Sequence, residues 1–280
     1  MTEPTERTLE LTSGSFRALE WPGSGGTAIL LHGLSGIADV WNRTVEAMGP
    51  DRPRCIAIDQ RGHGHSPRVP DHYAVGDYMA DLIDAIGVIA RVGSSGDGPV
   101  HVVGHSMGAR VSMVAAARRP DLFSSAVIVD IGPEAWKANI TSTESLFRSL
   151  PTRFANRVEA LNLGRFYGKE PDAAERCVTE RLREEKDGSF TWLACTDALI
   201  ETVTVQRGRG YWRDWDRIRV PTLLVRGGTS KELRPEVAEA MRRRNGSVSY
   251  VEIPDIGHNI PMLAPDRLGE EISGFWRSLG

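Results

Sequence analysis

The chain is 280 residues long, with 40% hydrophobic and 25% charged residues, enough for one large or two small globular units. Its net charge of −3 gives no bulk attraction to nucleic acid or to an anionic membrane surface. Three cysteines, Cys55, Cys177 and Cys195, are too few and too widely spaced for a disulfide framework or a metal cluster. The leading Met1-Thr2-Glu3-Pro4-Thr5-Glu6-Arg7 has no apolar signal core, and no apolar run has bilayer length, so a cytoplasmic protein is expected.

Residues 7–20 alternate as a strand pair with a turn at Ser13-Gly14. A strand at 27–31 then leads to a helix near 40–48, and a strand at 54–58 to a helix near 77–92. Ser94-Ser95-Gly96-Asp97-Gly98 reads as a flexible loop. A strand at 99–103 precedes a helix that follows Ser106, and Ala126-Val127-Ile128-Val129 forms a strand that stops at Asp130. Short β-branched runs separated by helices predict a parallel sheet covered on both faces, with the leading pair as an antiparallel edge. The alternation breaks near 134. Residues 134–216 are charged, rich in Arg and Trp, and helical in character. The sheet resumes at 220–225, followed by a helix near 235–245, a strand at 248–253 and a final helix near 266–278. The expected organisation is a body of residues 1–133 and 217–280 carrying a helical cap of residues 134–216.

Gly104-His105-Ser106-Met107-Gly108 stands where a strand turns into a helix. A serine between two glycines at such a turn is a nucleophile elbow, with the hydroxyl pushed clear of the sheet above a helix N-terminus. Glycine-rich chains produce this pattern by chance, so its company matters. His32-Gly33 closes the run at 27–31, Asp59-Gln60-Arg61-Gly62-His63-Gly64 closes the run at 54–58, and Gly257-His258 follows the last strand. Together these features resemble the α/β-hydrolase family over essentially the whole chain. The resemblance implies an α/β-hydrolase fold: a mostly parallel eight-stranded sheet flanked by helices, with the helical cap inserted after the sixth strand.

A serine hydroxyl needs a neighbouring base, and His258 is the candidate base for Ser106. The resemblance assigns the oxyanion-hole N–H donors to Met107 and Leu34. In most relatives the orienting carboxylate follows the strand after the cap. Here Val225-Arg226-Gly227-Gly228-Thr229-Ser230-Lys231-Glu232 places lysine at that point. The candidates are then Glu232, beside it, and Asp130, one strand earlier; Asp130 is favoured because a carboxylate at a buried strand end needs a partner. His32 belongs to the His-Gly turn and His105 is expected to point away from Ser106. His63 and His65 sit in a Gly-rich loop, and His72 and His101 belong to no motif. None has zinc-site spacing, so no metal and no cofactor are expected.

Trp41, Trp136, Trp192, Trp212 and Trp215 are large apolar surfaces, some for the pocket and most for packing of the cap. Arg148, Arg153, Arg157, Arg165, Arg181, Arg207 and Arg209 crowd the cap, and inward ones would favour a substrate with a carboxylate. Trp41, Arg43, Arg148 and Trp212 are the candidate substrate-binding residues. The elbow, the lysine after the post-cap strand and the earlier acid also resemble the (E)-2-(acetamidomethylene)succinate hydrolase subgroup. The leading expectation is a serine hydrolase that cleaves a small ester, lactone or amide through an acyl-enzyme, as a monomer or homodimer. A carbon–carbon bond hydrolase or lyase using the same triad, and a non-catalytic binder, are the alternatives.

Overall fold

A computed structural model describes residues 3–92, 98–134, 144–145, 147–167, 171–206 and 208–280. Trp136, Arg207 and residues 94–97 lie outside them, as does the Arg165 side chain. In chain order the body begins with strands β1 (Thr5–Leu11), β2 (Gly14–Trp21) and β3 (Thr27–Leu31). A 3-10 turn (Ala38–Trp41) runs into helix α1 (Asn42–Ala47), followed by β4 (Arg54–Ile58), α2 (Val75–Val92), β5 (Val100–His105), α3 (Met107–Arg118) and β6 (Phe123–Val129). The inserted segment contains β7 (Arg153–Phe154), α4 (Arg157–Tyr167), α5 (Pro171–Arg181), β8 (Leu182–Glu184), β9 (Phe190–Trp192), α6 (Thr196–Val205) and α7 (Trp212–Trp215). The body is completed by β10 (Thr222–Gly227), α8 (Pro235–Arg244), β11 (Val248–Ile253), α9 (Ile260–Leu263) and α10 (Pro265–Arg277).

Among the described residues, eight strands form the main sheet in the order β1-β2-β4-β3-β5-β6-β10-β11. Six of them run parallel, and β1 and β2 add an antiparallel edge. Period-two alternation sends successive residues to opposite faces. Ile29, Leu31, Val102, Ala126, Ile128 and Leu224 join one buried cluster that includes residues of α2 and α3. Ala28, Leu30, Val103, Val127, Val129, Leu223 and Val225 join another that includes residues of α1 and α10. Both faces are covered, which is why these strands read as continuous apolar runs.

The inserted segment is not purely helical. β7, β9 and β8 pair as a small antiparallel sheet. β8 and β9 are joined through Asp187-Gly188, with Gly188 at φ +79°, and Gly188 N–H donates to Glu185 O at 2.9 Å. An Asp-Gly pair in this conformation is a hairpin signal, and the small sheet stands beside the helices expected of the cap. Phe154, Ala160, Leu163, Val178, Leu182 and Phe190 form a small buried cluster within this segment. Backbone and side-chain bonds seat the segment on the body. Cys195 N–H donates to Gly62 O at 2.8 Å, Tyr211 N–H to Pro133 O at 2.6 Å, and Tyr78 and Thr202 share a hydroxyl bond of 2.7 Å. No helix among the described residues is long and apolar enough to cross a membrane.

Candidate active site

Ser106 stands between β5 and α3 at φ +53°, ψ −112°, a conformation that L-residues avoid. The flanking glycines are dictated by contact. A Cβ on Gly104 would lie 2.3 Å from Gly108 O, and one on Gly108 would lie 2.3 Å from Leu31 O. The strained turn is tied down where Ser106 N–H donates to Val129 O at 2.9 Å. Asp130, also at a positive φ of +55°, follows β6, and its N–H donates to Val225 O at 2.8 Å. His258 lies in the loop between β11 and α9, with its side chain about one quarter exposed.

These three residues, far apart in the chain, meet at the C-terminal edge of the sheet. Ser106 Oγ lies 2.8 Å from His258 Nε2, and His258 Nδ1 lies 2.7 Å from Asp130 Oδ2. Asp130 is fully buried, and it accepts from Gly227 N–H at 2.8 Å and from the Ser230 hydroxyl as well as from the imidazole. Its charge is therefore met by three donors, as burial demands. Lys231 is exposed. Glu232 Oε2 is buried without a hydrogen-bond partner, and the imidazole faces Asp130.

The loop after β3 approaches the serine closely, since a Cβ on Gly33 would lie 3.1 Å from Ser106 Cβ. Gly33 O accepts from Gly36 N–H at 3.0 Å and from His32 Nδ1 at 2.8 Å. The Gly33–Leu34 peptide is planar and trans, so fixing its oxygen fixes the Leu34 N–H on the opposite side. Met107 opens α3, where a first-turn N–H has no intrahelical acceptor. Leu34 and Met107 line one narrow pocket with Ser106, Arg110, Ile131, Thr202 and Gln206.

Three histidines outside the Ser106–His258–Asp130 set hold this arrangement. His32 Nε2 accepts from Gln60 N–H at 3.0 Å, while Gln60 Nε2 donates to His32 O at 2.7 Å. His63 Nε2 accepts from Ser35 N–H at 3.2 Å and its Nδ1 donates to Arg61 O at 2.9 Å. His105 does not merely point away from Ser106. Its Nε2 donates to His258 O at 2.8 Å and the two rings lie 4.9 Å apart, so it steadies the loop that carries His258. Burial keeps all three neutral: it pushes His63 down to about 4 and lowers His32 and His105 well below the ordinary histidine range. Only a neutral imidazole can accept and donate at once, as His32 and His63 do.

The four candidate pocket residues stand away from the wall of the Ser106 pocket. Trp41 is fully buried in the core cluster that contains Leu30, Val45 and Leu268. Arg43 is half-exposed, 2.8 Å from Asp266 on α10. Arg148 is exposed and paired with Glu144 at 3.0 Å. Trp212 packs under the guanidinium of Arg244, 4.9 Å from its centre. Closeness in sequence to the cap or the serine loop says nothing about which way a side chain points. Trp192 bonds Pro151 O at 2.9 Å within the cap, and Trp215 bonds Met241 O at 2.9 Å in the body, so both serve packing.

Arg110 in the wall of the Ser106 pocket and Arg181 against the Leu34 loop are buried, each at most 5% exposed. Arg110 escaped the sequence reading, although a lone charge one turn after Ser106 in an apolar helix was the available signal. It donates to Gly132 O at 3.2 Å and Gln206 Oε1 at 3.3 Å, and lies 5.5 Å from the Tyr211 ring centre. Desolvation brings it down to about 10, still cationic at neutral pH.

A profile of the alpha/beta hydrolase family matches residues 28–271. A 2-(acetamidomethylene)succinate hydrolase of Mesorhizobium japonicum is 30% identical over 262 residues, which is 90% of this chain and 88% of that protein. An esterase of Mycobacterium tuberculosis is 26% identical over 280 residues, 97% of this chain and 89% of its own length. The crystal structure of an E-2-(acetamidomethylene)succinate hydrolase superposes with a TM-score of 0.87 at 25% identity, covering 98% of this chain and 99% of that one.

Proposed function

The chain belongs to the alpha/beta hydrolase family and is a hydrolase of ester or amide bonds, and on that premise we propose that it works through a Ser106–His258–Asp130 triad and a covalent acyl-enzyme. The observation that carries the reading is the chain of contacts from Ser106 Oγ to His258 Nε2 at 2.8 Å and from His258 Nδ1 to Asp130 Oδ2 at 2.7 Å. Ser106 Oγ attacks the substrate carbonyl as its proton passes to His258 Nε2. Asp130 holds the imidazole with its proton on Nδ1 and offsets the positive charge that forms. The Leu34 and Met107 N–H groups receive the developing oxyanion. His258 then returns the proton to the departing alcohol or amine. A water gives a proton to His258 as it attacks the acyl carbon; the bond from Ser106 Oγ to that carbon then breaks, Oγ takes the proton back from His258, and the carboxylic acid leaves.

The substrate of this reading is a small molecule that carries a carboxylate near the scissile bond. The pocket beside Ser106 is narrow, which suits a short acyl group. Arg110 in its wall supplies a guanidinium, the planar donor that best matches a carboxylate. Two relatives whose names specify an acetamidomethylene succinate add weight to an anionic amide or ester.

The test is stoichiometric labelling by a fluorophosphonate together with turnover of p-nitrophenyl acetate, both expected to vanish in Ser106→Ala. Turnover that survives in that variant refutes the reading.

A further inference from the structure

The loop that carries Leu34 is held from two directions. On the body side, Ser35 N–H donates to His63 Nε2 at 3.2 Å, and the preceding peptide is fixed by His32 and Gly36. On the cap side, Arg181 Nη1 donates to Leu34 O at 3.3 Å and to the Ser35 hydroxyl. The Leu34–Ser35 peptide is therefore gripped at both ends, its N–H by a body histidine and its C=O by a cap arginine. Ser35 is at φ +65°, a left-handed conformation costing an L-residue roughly 1–2 kcal/mol. Such a turn persists only where its surroundings over-determine it.

We propose that Arg181 is a positioning residue for catalysis, one that sets the oxyanion loop from the cap and so ties cap seating to readiness of the Ser106 site. The inference rests on the acyl-enzyme reading above. Arg181 ends α5 and precedes β8, and only 5% of it is exposed. Its bonds to the loop are thus made out of water, where charge-assisted contacts are strongest. Its charge also helps to keep His32 and His63 neutral, which leaves His63 Nε2 able to accept from Ser35. Were the cap to lift, the guanidinium would leave with it, and Leu34 O and Ser35 Oγ would lose their shared donor. The Leu34 N–H would then be held only through the Gly33 carbonyl, by His32 and Gly36, and would be aimed less sharply at the substrate oxygen.

Arg181→Met, Arg181→Lys and Ser35→Ala separate this role from two others. Kinetics are measured on a neutral ester, p-nitrophenyl acetate, and an anionic one, mono-(p-nitrophenyl) succinate, with the inhibition constant of phenylboronic acid and the thermal midpoint. A displaced donor costs less than a deleted one, so kcat should fall about tenfold to a hundredfold in Arg181→Met and by the same factor on both esters. KM should hold within about threefold, and boronate affinity should fall in step with kcat/KM, because the boronate mimics the tetrahedral state. Arg181→Lys should recover part of the loss. Loss confined to the anionic ester and expressed in KM overturns the proposal and makes Arg181 a substrate ligand. An unchanged kcat per folded molecule overturns it as well. Should Arg181→Met fail to fold, Ser35→Ala and Arg181→Lys carry the same test: a lowered kcat with matching boronate loss supports it, and wild-type kcat in both overturns it. Full turnover in Ser106→Ala would instead refute the acyl-enzyme reading itself.

Discussion

Replacing Asp130 with asparagine changes a single atom in the buried site, and the structure determines how that atom must lie. Asp130 Oδ1 accepts from Gly227 N–H at 2.8 Å, a backbone donor that cannot turn away. In Asp130→Asn the amide oxygen is therefore held on the Gly227 side, and the amide NH₂ faces His258 and Ser230. His258 Nδ1, 2.7 Å from the original oxygen, must then accept rather than donate. Its proton moves to Nε2, the atom 2.8 Å from Ser106 Oγ, and the base is lost. The negative charge that offsets the imidazolium in the transition state goes too. Wrong tautomer and lost charge together should cost about 10³- to 10⁴-fold in kcat, or ~4–5.5 kcal/mol of barrier. The fold should survive, since the oxygen still meets Gly227 and the NH₂ can donate to the Ser230 hydroxyl. The assay is kcat/KM on p-nitrophenyl acetate beside the thermal midpoint, with Glu232→Gln as the comparison, expected within about twofold of wild type. A folded Asp130→Asn enzyme within about tenfold of wild type, or an inactive Glu232→Gln, would refute the reasoning.

Arg110→Met should erase a preference for mono-(p-nitrophenyl) succinate over p-nitrophenyl butyrate, with a loss of about tenfold to a hundredfold on the anionic ester alone, the worth of a charge-assisted bond. Equal losses on both esters would count against a carboxylate at Arg110. Stability should fall in acid. His63 is held down to about 4, and His32 and His105 well below their ordinary range, whereas unfolded histidine protonates near 6.5. The unfolded chain thus binds more protons in this window, and stability is lost as pH drops from about 6.5 toward 4, at ~1.4 kcal/mol per pH unit for each histidine. The Glu180 carboxyl, pushed up to about 7 by desolvation, and that of Asp59, also raised, oppose this in part. Two carboxyls cannot cancel three histidines, so the urea midpoint should be lower at about pH 5 than at about pH 7, and an equal or higher midpoint would contradict the account.

The body was legible strand by strand. Runs such as Thr27–Leu31 and Arg54–Ile58 are short, apolar and continuous because both faces of a parallel sheet are covered, and that pattern is local. The inserted segment was legible as an interruption of helical character, but its strands were not. Its small sheet of two- and three-residue strands, β7, β8 and β9, carries too few residues for a period to show, and the Asp187-Gly188 turn was its one clear trace. The pocket was hardest to read. Trp41 and Arg148 were singled out by residue type, but a side chain's direction depends on what it packs against, and Trp41 turned into the core while Arg148 turned to solvent.

By itself the sequence determined the element order of the body, the tight turn around Ser106 and the late position of His258, because periodicity and glycine sterics act over a few neighbouring residues. It left two carboxylates open beside the imidazole. The tertiary structure decided between them: the ends of β6 and β10 lie side by side, and Gly227 N–H and the Ser230 hydroxyl converge with His258 on Asp130 rather than on Glu232. It also brought Arg110 from α3 and Arg181 from the cap inward beside the Ser106 site. Those contacts join residues 22 to 147 positions apart, and no local pattern encodes a meeting set by the packing of whole elements.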